Sequence, residues 1–184
     1  MKRHLCVSFI VFCAGCAQPM QIDPSQVGDA KAQLNIESPD LAGYVSVPLI
    51  NSKVVNVRLS KFSGCTAEKT AEEDQKPIGK ATLTPKINSQ TVAIPADTQL
   101  VIYGESLEMT GGNSFSCGRA VRFTSEPGKT YVLKFKPHKS WGVGLCEMEL
   151  VTSTDAGESP VSSAHYAIVE YKGFFKGDQL ELCK

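Results

Sequence analysis

The sequence predicts an all-β fold, an antiparallel β-sandwich, and three observations predict it. Apolar residues alternate with polar ones at period two in several stretches, as expected of strands with one buried face. Turn-forming residues separate these stretches at intervals of roughly 8–12 residues, the spacing of a sandwich or barrel. No segment sustains helical periodicity, and no internal repeat occurs.

Residues 17–40 are polar and mixed, with Pro19, Pro24, Gly28 and Pro39, and read as a tether with a short helix around Val27–Leu34. After Asp40 the pattern changes. Ala42–Val47 and Val54–Phe62 are rich in Val, Leu and Tyr, and in the second Val55, Val57 and Leu59 alternate with Asn56, Arg58 and Ser60. Residues 63–79, with Glu72-Glu73-Asp74, read as a solvated loop. Lys80–Ile87 and Thr91–Ile94 are candidate strands. Gln99–Met109 is a longer one, apolar on both faces at its start, which suggests a central position. Thr110–Ser116 contains Gly111-Gly112-Asn113 and reads as a loop.

Val121 and Phe123 alternate with Ala120, Arg122 and Thr124, and Glu126-Pro127-Gly128-Lys129 suits a type II turn: proline presets φ and glycine accepts φ > 0. Tyr131, Leu133 and Phe135 follow in alternation, so a hairpin is expected here. Cys146, Met148 and Leu150 give the third strand of a meander, after a connection at His138–Gly144. Residues 152–163 read as loop, Ala164–Tyr171 as a strand and Leu180–Cys183 as a short last one. The expected organisation is an export signal over 1–15, a tether over 16–40 and the sandwich over 41–184.

The export signal rests on Lys2-Arg3-His4, the apolar run Leu5–Phe12 and the small residues Ala14-Gly15 before Cys16. The apolar run falls short of the roughly 20 residues that span a bilayer. Ala14-Gly15-Cys16 resembles the lipobox of bacterial lipoproteins, with Cys13 where the family usually has Leu. The resemblance implies cleavage before Cys16, diacylglycerol and palmitate on that cysteine, and a membrane partner bound through its acyl chains. Ala17 after the acceptor, rather than Asp, implies the outer membrane, facing the periplasm. An ordinary secretory signal cut near Ala17 is the plainer alternative. Cys117, Phe123, Pro127-Gly128, Tyr131 and Cys146 further resemble a pattern of small bacterial β-sandwich lipoproteins; these are turn and core residues, and they imply a fold and no activity.

Removing residues 1–15 leaves 169 of 184 residues, enough for one domain with a real core. Lys2 and Arg3 leave with the signal, which takes a balance of 19 basic and 19 acidic residues to a net −2. That charge offers nucleic acid no electrostatic footprint. Cys6 and Cys13 also leave and Cys16 takes lipid, so Cys65, Cys117, Cys146 and Cys183 remain. Four cysteines in an exported chain imply two disulfides, with three possible pairings. No Cys-x-x-Cys occurs among these four, which weakens zinc and redox-motif readings. Face parity points Cys117 and Cys146 inward and favours Cys117–Cys146 with Cys65–Cys183. In a meander, however, two strand spacings of about 9–10 Å exceed the roughly 7 Å that a bridge spans. A loop would have to bring Cys117 closer.

Catalytic patterns are sparse. His138 and His165 lack neighbours at metal-ligand spacing and read as loop or surface residues, so neither a metal nor a cofactor is expected. Neither a Gly-x-Ser-x-Gly elbow nor a phosphate loop is present. Glu147 and Glu149 share a strand face that reads as solvated, and Asp155 and Glu158 lack a calcium-loop pattern. Two aromatic loop features stand out: Trp141, and Phe174-Phe175 between glycines. They are candidate partner contacts, with Lys139 and Lys176 as a polar rim; the plainer alternative is that they cap the sandwich. The expected function is a non-enzymatic envelope lipoprotein, a structural accessory or a binding module for protein or glycan. The alternatives are a periplasmic hydrolase using loop carboxylates and an inhibitor-like binding protein. Ionisable groups converging in a pocket would favour the enzyme; loops converging as an apolar patch would favour binding.

Overall fold

The computed structural model describes residues 17–47, 51–62, 64, 77–140, 143–169, 171–172 and 176–177. Two five-stranded sheets face each other. The first has the order β4-β1-β7-β8-β9 and the second β10-β6-β5-β2-β3. In chain order the strands of the two sheets are β1 (Lys31–Glu37), β2 (Asn51–Lys61), β3 (Gly79–Leu83), β4 (Ser89–Pro95), β5 (Thr98–Thr110), β6 (Asn113–Ser125), β7 (Thr130–Ser140), β8 (Val143–Thr154), β9 (Gly157–Pro160) and β10 (His165–Val169). A small separate pair follows, β11 (Tyr171–Lys172) with β12 (Lys176–Gly177).

The all-β sandwich is as the alternation predicts, and the inner faces carry the predicted residues. Val55, Val57 and Leu59 of β2 and Leu100 and Ile102 of β5 face Tyr131, Leu133 and Phe135 of β7 and Leu150 of β8 in one core, all fully buried. Tyr131 packs its ring against Phe123 at 5.0 Å, and its hydroxyl accepts the Glu126 backbone N–H at 2.9 Å. Burial of the phenol is the main cause that pushes its pKa above the ordinary tyrosine value.

The largest difference from the sequence reading is the tether. Residues 17–37 belong to the domain. Helix α1 spans only Pro24–Val27, capped by Asp23, whose carboxylate accepts the Ser25 N–H at 2.9 Å. Instead of helix to Leu34, the chain forms β1, paired with β4 on one side and β7 on the other. Ala32, Leu34 and Ile36 enter the core between exposed or half-buried Lys31, Gln33 and Asn35. Upstream, Gln18 adds to the free edge of β3 through two backbone bonds with Thr82, at 3.1 and 2.8 Å. Met20 and Ile22 then pack over Gly79, and the Met20 N–H is accepted by the Gln90 side chain of β4 at 2.7 Å. This segment therefore bridges the edges of both sheets and closes one side of the sandwich.

The pairing of β1 with β7 is parallel, so the first sheet is mixed rather than purely antiparallel. The Glu126–Lys129 turn forms with Gly128 at φ 71°, but it does not make a hairpin: β6 lies in the second sheet and β7 in the first. The cause is β1. The Gly128 N–H bonds to the Lys31 carbonyl at 2.8 Å, and the Lys129 carbonyl accepts from the Gln33 N–H at 2.9 Å, so the turn docks on β1 and hands the chain across. Ala42–Val47, rich in apolar residues, follows a 3-10 turn at Pro39–Leu41. Two smaller expectations also change. Thr110–Ser116 is a tight hairpin, with Gly111 and Gly112 both at positive φ and Asn113 already in β6. Within 152–163, β8 runs on to Thr154 and pairs with β9.

The sheets approach closely at Gly104 of β5. A Cβ there would stand 2.7 Å from two ring carbons of Phe135 and 2.9 Å from the Met148 methyl. Gly104→Val should cost about 1–3 kcal/mol by overpacking. Thermal unfolding checks this, and an unchanged midpoint would refute the close packing.

Candidate functional site

The features that could carry function gather at one end of the sandwich, where the 38–50 connection, the 84–88 turn, the Gly111-Gly112 turn and the β7–β8 hairpin meet. Cys117 of β6 and Cys146 of β8 form a disulfide here with Cα atoms 5.6 Å apart. The spacing objection falls away because these strands lie in facing sheets rather than in one meander. Beside the bridge the backbones nearly touch: a Cβ on Gly144 would stand 2.9 Å from the Ser116 carbonyl oxygen. The Arg119 guanidinium crosses the same gap and donates to the Cys146 carbonyl at 2.8 Å. The disulfide thus closes the side of the sandwich opposite the one closed by residues 17–22.

Lys53 lies on the inner face of β2, in line with Val55 and Val57, and is only 8% exposed. Its ammonium donates to the Pro137 carbonyl at 3.1 Å, stands 3.8 Å from its cross-strand partner Glu108, and lies 5.8 Å from the centre of the Tyr44 ring. A charge so deeply placed must be paired, since desolvation would otherwise expel it. The nearby cavity, lined in part by Glu108, Phe115, Cys117 and His138, holds about 10 Å³, room for one water rather than a substrate.

Exposed large hydrophobic side chains concentrate at this end. Val45, Val47, Ile87, Leu107, Met109 and Leu145 are six of the seven exposed large hydrophobic side chains among the described residues. Leu107 and Met109 share the outer face of β5. Val47 pairs with Asn51, which in turn pairs with Thr110.

Of the residues singled out in the sequence, Cys117 and Cys146 are brought together. Cys16, Cys65, Cys183, Trp141, Phe174 and Phe175 lie outside the described residues. The segments that flank the aromatics do converge: Gly144 sits against Ser116, and Val169, just before β11, pairs with Gly118 on the same stretch of β6. His138 is exposed on β7 rather than in a loop, and His165 opens β10, also exposed. Glu147 and Glu149 are exposed on β8, opposite Lys136 and Lys134 of β7. Glu158 pairs with Lys134, and the hydrogen bond to this carboxylate raises the lysine pKa. Among the described residues no group of three or more His, Cys, Asp or Glu side chains is placed to hold a metal.

No family model, curated protein or solved structure matches this chain.

Sequence reasoning missed Lys53, Glu108 and the apolar end. A lysine at a core-facing position breaks the alternation and was the available signal for this ion pair. Leu107 and Met109 extend the two-faced apolar character of β5 and were the signal for the patch.

Proposed function

We propose that this chain is a non-enzymatic lipoprotein of the bacterial envelope, exported, acylated on Cys16 and acting as a structural accessory or a binding module for an envelope protein or glycan. The observation that carries the reading is the Cys117–Cys146 bridge between the two sheets. Disulfides persist in oxidising compartments, and this supports the export that the leader Lys2–Cys16 signals. The class of function is supported by what converges at the end of the sandwich. It gathers most of the exposed large hydrophobic side chains, as a contact site does, while the buried Lys53 ammonium stands 3.8 Å from the half-buried Glu108 carboxylate.

The test is labelled palmitate supplied to cells making the wild type or Cys16→Ser. Label should enter the wild type alone, and the Cys16→Ser protein should accumulate in the unprocessed form or leave the membrane fraction. Equal labelling of both would contradict acylation at Cys16.

A further inference from the structure

We propose that the apolar end of the sandwich rests on the lipid bilayer, so that the domain lies flush against the membrane instead of hanging from a tether. The inference rests on the acylation of Cys16 proposed above. Its structural basis is the position at which the chain enters the domain. Gln18 is held on the edge of β3 by both of its backbone bonds to Thr82. Cys16 lies two residues earlier, and consecutive Cα atoms are 3.8 Å apart, so its Cα stands within about 7.6 Å of that of Gln18. An acyl group on Cys16 is therefore joined to the domain by only two residues of chain before Gln18. Two residues on from Thr82 is Thr84, which opens the turn that carries Ile87.

The anchor and the apolar cluster thus share one end of the molecule. Val45 is 73% exposed and Met109 58% exposed, and with Val47, Ile87, Leu107 and Leu145 they concentrate the exposed large hydrophobic side chains of the described residues at this end. With the lipid fixed within two residues of the domain, the bilayer is the phase permanently within reach. Lys86, exposed next to Ile87, can lay its stem along the apolar surface and present its ammonium to phosphate headgroups. The charged outer face of the first sheet, with Lys134, Lys136, Glu147 and Glu149, and the opposite end of the sandwich are then left for a partner.

The experiment uses the full-length acylated protein in vesicles of phosphatidylethanolamine and phosphatidylglycerol, with plain or dibrominated acyl chains. Trp141→Phe removes the native fluorophore. Met109→Trp and, separately, Ile87→Trp then report from the apolar end, and Glu126→Trp reports from the exposed turn at the other end. The Cys117–Cys146 bridge and the thermal midpoint check that each variant is folded; Met109 and Ile87 are surface residues, so two independent probes guard against a local defect. Emission from Met109→Trp and Ile87→Trp should shift to the blue on reconstitution and be lost to bromine quenching, while Glu126→Trp stays unchanged. Acylated protein that floats with the vesicles but shows no quenching at either apolar-end probe overturns the flush orientation and leaves the lipoprotein reading intact. A blue shift without quenching means that a protein surface, such as a second copy, covers the patch, and also overturns it. Protein that carries no acyl chain and does not float overturns both.

Discussion

Replacing residues 17–40 by a flexible Gly/Ser linker of equal length, with the leader and Cys16 kept, should leave no folded domain. The replacement removes β1 from the middle of the first sheet, so β4 loses its partner and β7 keeps only β8. It also takes Ala32, Leu34 and Ile36 out of the core and unseats Met20 from over Gly79. Each fully buried Leu or Ile contributes about 2–5 kcal/mol by truncation, against a total stability of roughly 5–15 kcal/mol for a domain. A milder change separates local from global effects: Ile36→Ala alone should lower stability by about 2–5 kcal/mol. Circular dichroism and thermal melts of both variants check this. A linker variant that melts like the wild type would mean that residues 17–40 are a tether after all.

Loss of the Cys117–Cys146 bridge should have the next largest effect. The sequence separation is 29 residues, for which loop-closure entropy in the unfolded chain gives about 3–4 kcal/mol. For a domain of this size the thermal midpoint should fall by about 2–4 °C per kcal/mol. The bridge also sits where Gly144 and Ser116 crowd one another, so its removal should loosen the apolar end before the rest. Cys117→Ala with Cys146→Ala, melted against the wild type under non-reducing conditions, gives the size of the effect. With these two cysteines joined, the remaining pair is Cys65–Cys183, and non-reducing peptide mapping should recover it. Free thiols at both positions would contradict the two-disulfide expectation.

The fold class was legible because period-two alternation depends only on which face of a strand is buried. β2, β5, β7 and β8 announce themselves through Val55-Val57-Leu59, Leu100-Ile102, Tyr131-Leu133-Phe135 and Cys146-Met148-Leu150. The same rule placed Cys117 and Cys146 inward and so found their pairing. β1 carries the pattern as well, in Lys31-Ala32-Gln33-Leu34-Asn35-Ile36, but it is short and lies in a polar, proline-containing stretch, so the surrounding composition outweighed three core residues. The Glu126–Lys129 turn shows a different limit. Its residues fix the φ values of the turn, whereas the sheet that the next strand joins is decided by bonds to Lys31 and Gln33, nearly a hundred residues upstream. Local chemistry carries no trace of that choice. Lys53 was hidden for the opposite reason: its burial is tolerated only because Glu108, the Pro137 carbonyl and Tyr44 surround it, and three separate elements supply them.

That the domain begins at Gln18, two residues after the proposed lipid anchor, is the central structural claim, and limited tryptic digestion of the acylated protein in vesicles tests it most directly. The Lys31 side chain is exposed, yet its backbone is paired within β1, opposite Pro95. If residues 17–37 are part of the sandwich, cleavage after Lys31 should be no faster than global unfolding, and the domain should stay with the vesicles. Rapid release of a soluble, folded fragment beginning at Ala32 would contradict the account.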